Sequence, residues 1–426
     1  MALAPRSDAS AASHERSADP GTDTGDRHDV EDPPSTGGRH DVEDPPRRSR
    51  LAVLTVFVTF GIMVGSWLSR VPDVKTRLEL GDAVWGRLGT VSALGSLAVM
   101  LLSTAIISRV GARRMSRITM LLCAGIGPSM AFAPEPLLLV IAMIAWSMSA
   151  SALQPAANSA GVVVERAYAR PIMSNFHAGW SLGALVGGLL GTLAARLGIA
   201  PGPQLLATNV VLVLALGLTT RWLPADEPVP AGVRAGPVFT AQLGLLAVLG
   251  FSSAIGEGIV SGWAGIYVNE TLGAGAAAGA LIFSCITASQ LAGRLVGDRA
   301  LQWLGHARFL RTIPLLGGLG LTAGLAVGTP AAAFVGFALV ALGLSCVTPT
   351  VYGAAGNQPG IPSGQAIATL TIAAWPAFFA GPWLVGEISD ATSLRSGLLV
   401  VVIATGVISL FARLAHFPTP GNGPSH

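Results

Sequence analysis

In the stretch FSSAIGEGIVSGWAGIYV, residues 251–268, a single carboxylate, Glu257, stands among apolar and small side chains. Of the 12 acids beyond residue 50, the other eleven fall in loops or near the ends of apolar runs. Glu257 lies 11 residues from the end of its run, about 16 Å along a helix. A charge left in lipid at that depth costs roughly 3 kcal/mol or more, so such an acid faces a polar cavity or a partner. It can load and release a proton or hold a polar solute. The other reading is a structural acid hydrogen-bonded to a neighbouring helix.

Further polar groups recur inside apolar runs. His177 follows Asn175 and precedes Ser181; imidazole suits proton transfer and solute hydrogen bonding, and equally suits packing or latching a loop. Gln154 and Asn158, four apart on one helical face, and Gln290 offer amides to a polar solute, or glue helices together. Trp263, like Trp67, Trp180 and Trp375, can stack on a ring-shaped solute or anchor a helix at a membrane interface. Gly179, Gly183, Gly187 and Gly191 form a four-residue repeat that lets another backbone approach, a seam that would move if two bundles rocked against each other. Glu165 and Arg166, with Arg170, read as a structural gate pair at a helix end. Neither a metal site nor a cofactor is expected. The tail histidines read as solvated residues.

The elements that position these groups follow from composition. Of 426 residues, 51% are hydrophobic and 12% charged, about half the charged share of a soluble protein. Apolar runs of some 20 residues recur along the chain, which predicts an all-α polytopic membrane protein. Twelve spans are expected: 51–70, 83–107, 116–133, 137–161, 172–195, 203–221, 241–268, 275–297, 309–328, 331–352, 364–387 and 395–413. The polar, proline-rich stretch near 223–240 divides them into bundles at 51–222 and 241–416. Residues 1–50 hold 11 of the 23 acids, repeat RHDVEDPP at 27–34 and 39–46, and contain no apolar core of a signal peptide. They read as a disordered tail, and 417–426 as a second tail. The three cysteines fall inside apolar runs and read as small buried hydrophobes. No basic patch interleaved with aromatics marks a nucleic-acid partner; the basic excess of the membrane part suits lipid headgroups.

The two bundles echo each other. GSW at 65–67 matches SGW at 261–263, SALQP at 151–155 matches SCVTP at 345–349, and Arg109 matches Arg299. The offsets lie between 190 and 196 residues, which predicts two pseudo-symmetric six-helix bundles from a duplicated unit. The loop TAIISRVGARR, 104–114, keeps Arg109, Gly111, Arg113 and Arg114, and GRLVGDRALQWLG, 293–305, keeps Asp298 and Arg299. In these residues the chain resembles the major facilitator superfamily, whose signature in this loop is Gly-x-x-x-Asp-Arg-x-Gly-x-Arg-[Arg/Lys]. Thr104 and Ser108 depart from it. SWLSRVP, NSAGVVVERAYARPIMSNFHAGWSLGALVGG and EGIVSGWAGIYV resemble the fucose-permease-like branch. That resemblance implies the major facilitator fold, gating loops at the residues just named, and secondary transport of a small, sugar-like solute by alternating access with proton coupling. It also implies a monomer surrounded by membrane lipid. The acids that serve coupling in the first and fourth helices of such permeases are missing here, where Glu165 alone stands at the end of the fourth.

Efflux of a hydrophobic drug, and a transport-incompetent sensor, remain the rival readings. An enzyme is not expected. The only lysine is Lys75, so there is no P-loop, and His-Glu-x-x-His does not occur.

Basic residues give the orientation. Sixteen, among them Arg109, Arg113, Arg114 and Arg299, fall on the side of the termini, and six on the other. The positive-inside rule then puts both termini in the cytoplasm of a bacterial-type inner membrane. A cysteine introduced at Glu227 should therefore resist a membrane-impermeant thiol reagent in whole cells. Rapid labelling from outside overturns the orientation.

Overall fold

A computed structural model of the chain describes residues 47–168, 172–225, 238–415 and 417. The tail expected before residue 47, most of the expected linker, Arg170, the side chain of Asp298 and the end from residue 418 lie outside the described residues. The first half comprises α1 (Arg47–Arg77), α2 (Asp82–Val110), α3 (Ala112–Phe132), α4 (Pro136–Tyr168), α5 (Met173–Arg196) and α6 (Pro201–Thr219). The second comprises α7 (Ala241–Ile266), α8 (Ala276–Leu304), α9 (His306–Val327), α10 (Pro330–Leu344), α11 (Val347–Gly356), α12 (Ser363–Ala374), α13 (Ala377–Ala391) and α14 (Leu394–Phe411). Among the described residues, twelve helical runs are long and apolar enough to cross a bilayer, with α10–α11 and α12–α13 each making one crossing.

Proline explains the two interruptions. Pro349 has no N–H to offer the Ser345 carbonyl, and the helix breaks at Ser345 and Cys346 before α11 resumes. Pro376 does the same between α12 and α13. Pro155, the sequence counterpart of Pro349, leaves α4 unbroken.

Because the number of crossings is even, the start of α1 and the end of α14 share one side, called here the terminus side. At the far side, one apolar cluster joins Trp67, Val71 and Val74 of α1 and Trp85 of α2 to Trp263, Ile266 and Phe337 of the second half. A separate cluster, with Phe57, Met120, Leu153 and Phe176, belongs to the first half alone. Large apolar side chains such as Val211, Leu214 and Leu218 of α6 remain exposed, which suits a lipid-facing surface.

The glycine repeat of α5 meets α1, inside the same half. A Cβ on Gly183 would strike the Val58 carbonyl and one on Gly187 the Ile62 carbonyl, while Gly61 and Gly65 of α1 sit against the backbone of Trp180 and Ala184. It is not the contact between the halves, because the stripe is used up in a backbone-to-backbone seam with its own bundle. The halves meet elsewhere: Gly188 faces Phe283 and Ser284 of α8, and Gly86 of α2 lies against Pro382 and Gly386 of α13.

The internal repeat is plainest at two single-residue links. Gly111 alone separates α2 from α3, and Gly305 alone separates α8 from α9. Both adopt positive φ, 87° and 74°, which strains any residue with a Cβ. They stand 194 residues apart, so Gly305 is the partner of Gly111 although the motif spacing around it differs.

Gly187→Leu should overpack the α1–α5 seam and lower the thermal midpoint sharply or abolish folded protein. Gly217→Leu, where nothing lies within 4 Å of a Cβ, should leave the midpoint nearly unchanged. Equal behaviour of the two variants in a melting experiment contradicts the seam.

Candidate functional site

Glu257 stands about 24 Å from the start of α7, measured along the helix. The Ser253 hydroxyl, one turn earlier, donates to its Oε1 at 2.9 Å, and the Thr348 hydroxyl donates to the same oxygen at 3.3 Å. The two hydroxyls are themselves 3.1 Å apart. Thr348 reaches this position because the tenth crossing restarts at Val347, so the break turns its first residues toward α7. Glu257 keeps part of its surface open.

Facing it across the boundary between the halves is α5. His177, Ser181 and Gly188 share one face by their spacing, and that face meets α8. Arg294 of α8 donates from Nη1 to the Ser181 hydroxyl at 3.3 Å, a bond between the halves. Its guanidinium acts electrostatically on both Glu257 and His177. His177 is exposed one turn beyond Ser181, its ring edge-on to Phe57 with centroids 5.3 Å apart. Gln290 precedes Arg294 by one turn on α8 and is half-buried.

On α4, the periodicity separates three faces. Leu137, Ile141 and Met148 are exposed apolar residues, Leu153 and Ala157 are packed inside, and Gln154 and Asn158 form a third, polar face. Gln154 is exposed, and Asn158 Oδ1 is buried with no hydrogen-bond partner among the described residues. His177, Arg294 and Gln290 thus stand on α5 and α8, which meet across the halves, and Glu257 on α7 beside α8, while Gln154 and Asn158 stand on α4 within the first half. Trp263 does not join them. It is 2% exposed in the far-side cluster, because α7 closes against α1 two turns beyond Glu257.

The far side is fastened by charge. Buried Lys75 of α1 pairs with Asp82 of α2 at 2.9 Å and, across the halves, with Glu270 at 2.6 Å. Thr76 adds a hydroxyl to Glu270, and Ser389 of α13 donates to Asp82. Arg87 forms a two-bond pair with Glu387 at 2.7 and 3.1 Å, exposed to solvent. On the terminus side α12 packs on α7 of its own half.

The sequence profile of the Major Facilitator Superfamily matches residues 54–359. The chain belongs to this superfamily. It is similar to an uncharacterized MFS-type transporter of Yersinia pestis, 27% identical over 84% of this chain and 93% of that one. In fold it is similar to a bacterial homologue of the human lysosomal transporter Spinster in an inward-facing, unoccupied conformation (TM-score 0.69, 15% identity, 86% of this chain and 97% of that one). The nucleoside transporter NupG is a further structural neighbour (TM-score 0.64, 14% identity, 86% and 97%). The chain is therefore a multi-pass membrane transporter and not an enzyme.

In this MFS transporter the loop residues divide by task. Arg113 donates to the Arg221 carbonyl at 2.6 Å, and Arg117 donates twice to the Thr220 carbonyl, so both satisfy the turn that ends α6. Arg109, Arg114 and Arg299 are exposed. Glu165 Oε2 accepts the N–H groups of Ile172 and Met173 at 2.7 Å each, so it caps the start of α5; Arg170, the third residue of the expected gate, lies outside the described residues. Residues 179–183 spell Gly-Trp-Ser-Leu-Gly, the spacing of a hydrolase nucleophile elbow, but they run through mid-helix α5 and no strand precedes them. Arg294 falls inside the expected span 275–297 but does not stand out there from the basic residues that follow it. Only its place on α8, three residues inside the apolar run, distinguishes it.

Removing Lys75 leaves two carboxylates at the far-side seam without their cation. With a reporter cysteine at Val71, Lys75→Met should raise the rate of thiol labelling from the far side about tenfold. Arg87→Ala should change it little, because that pair is exposed. Unchanged labelling in Lys75→Met rules out the lysine as a fastener.

Proposed function

We propose that this transporter carries a small polar, sugar-like solute by alternating access, with Glu257 as its proton-exchanging group. The observation that supports this most is the setting of Glu257: partly open to the cleft, at mid-depth, with both recorded hydrogen bonds on one oxygen. Ser253 and Thr348 belong to different crossings, so their grip on Oε1 depends on how α7 and α11 sit against each other. A rearrangement of those helices changes the stabilisation of the carboxylate, which is the physical requirement for coupling proton loading to conformation. Gln154 and Asn158 of the first half and Gln290 of the second supply amide donors and acceptors from both sides of the cleft. A solute bridging them has reason to draw the halves together. The excess of basic residues on the terminus side favours a cytoplasmic cleft mouth in the inner membrane of a bacterium. The reading takes a single chain, a monomer, as the transporting unit.

Glu257→Gln keeps the shape and hydrogen-bonding capacity but does not titrate. In proteoliposomes, tested with the polar metabolite that most raises the melting temperature of the pure protein, this variant should lose proton-driven accumulation and keep exchange down a gradient. Loss of affinity with a persistent pH dependence assigns Glu257 to solute binding alone. If accumulation and affinity both survive, Glu257 is a structural acid.

A further inference from the structure

Among the described residues, Arg294 is a cation at the boundary between the halves that the proton exchange at Glu257 does not use. It stands on α8 three residues inside the apolar run that crosses the membrane, and its partner Ser181 lies eight residues, about 12 Å, into α5. A guanidinium at such a depth is costly unless it meets an anion or a water-filled cavity. Its side chain is exposed, and its recorded hydrogen bond goes to a neutral hydroxyl, that of Ser181. None of the ion pairs among the described residues includes it. Other arginines inside the spans are taken up by the protein. Arg70 holds the Gly191 and Ile199 carbonyls and pairs with Asp73, Arg77 holds the Ala131 and Ala133 carbonyls, and Arg117 holds Thr220.

The neighbours fix its direction. Gly293 and Gly297 press one face of α8 against Ser345 and Cys346 at the break of the tenth crossing. Arg294 therefore projects from the adjoining face, the one that meets α5. Its fork of donors is suited to a carboxylate, which it can bind with two parallel bonds. The amide of Gln290 lies one turn away on the same helix, and amides suit hydroxyl groups.

We propose that the solute is a hydroxylated carboxylate, such as a sugar acid or hydroxy acid, whose anionic end docks on Arg294 in the cleft. This rests on the reading that a polar solute occupies the cleft, and it adds the charge. Binding in this way replaces the weak bond to Ser181, so the solute also frees a link between the halves.

The test uses the full-length protein and matched probes: D-gluconate, D-glucuronate and L-lactate beside sorbitol, D-glucose and 1,2-propanediol, read by thermal shift and by flux in proteoliposomes. At least one acid should stabilise the wild type while its neutral counterpart does not. Arg294→Gln should weaken that acid about tenfold or more, and Arg294→Lys should retain part of the binding. Ser181→Ala, which removes the link between halves but not the cation, should keep the preference for the acid. If Arg294→Gln folds poorly, the Lys and Ser181 variants carry the test. Equal binding of neutral and acidic probes, or no acid-selective shift in the series, overturns the proposal. Neutral probes that bind and respond to Glu257→Gln leave the polar-solute reading standing while the anion proposal falls; failure of every probe sinks both.

Discussion

A polar group at membrane depth has no water to turn to, and this constraint shapes every part of the molecule. It restricts the backbone to helices, since only a helix pairs its own N–H and C=O groups. Wherever a helix stops short, another group must take over. Buried Arg70 crosses from α1 to the last turn of α5, Arg77 to the end of α3, and Arg113 and Arg117 to the turn after α6. Hydroxyls inside the helices bond back to the carbonyl four residues earlier, as Thr119, Thr192 and Thr287 do. These four arginines thus act as helix caps and tie helix ends together.

The same constraint sets the difference between structure and site. Within the first half the α1–α5 seam is made of backbone against backbone, with Gly61, Gly65, Gly183 and Gly187 removing the side chains that would hold the helices apart. Such contact gains from dispersion at short range and has no second arrangement of equal quality. Between the halves the contacts are mixed: the far-side apolar cluster and ion pairs, a backbone approach of Gly86 on α2 to Gly386 on α13, and one long hydrogen bond at Arg294. Of these, the ion pairs and the Arg294 bond can be exchanged for water or solute.

Much of this was legible in the sequence because the signals are strong there. Apolar runs of span length announce helices, and the glycine repeat announces a close contact, though not its partner: periodicity names a face but cannot say which helix lies against it. That is why the stripe reads as a moving seam in the sequence and belongs to α1 in the structure. Trp263 reads as a cleft residue for a similar reason, since one residue pattern fits both the open and the sealed stretch of α7. Glu165 shows a third limit. Its partners are the backbone N–H groups of Ile172 and Met173, seven and eight residues on, and a backbone donor leaves no trace in side-chain composition. Asp298, the acid kept by the second loop, has its side chain outside the described residues.

The two ends of the boundary also differ in what closing them requires. At the far side, buried Lys75 is held between two carboxylates from opposite halves, and opening that end exposes all three charges together. Water then solvates them, so the loss of the pairs is offset and the far side can open at a moderate cost. At the terminus side the partner of Arg294 is only a hydroxyl, so closure there brings a lone cation into a narrowing, water-poor space. An empty cleft has little to compensate that charge except Glu257, which lies within its electrostatic reach. An anionic occupant removes the difficulty by neutralising the guanidinium as the cleft narrows. On the proposal made here, the empty transporter rests open toward the terminus side because its own charge opposes closure, and the solute supplies the countercharge that makes the occluded state accessible.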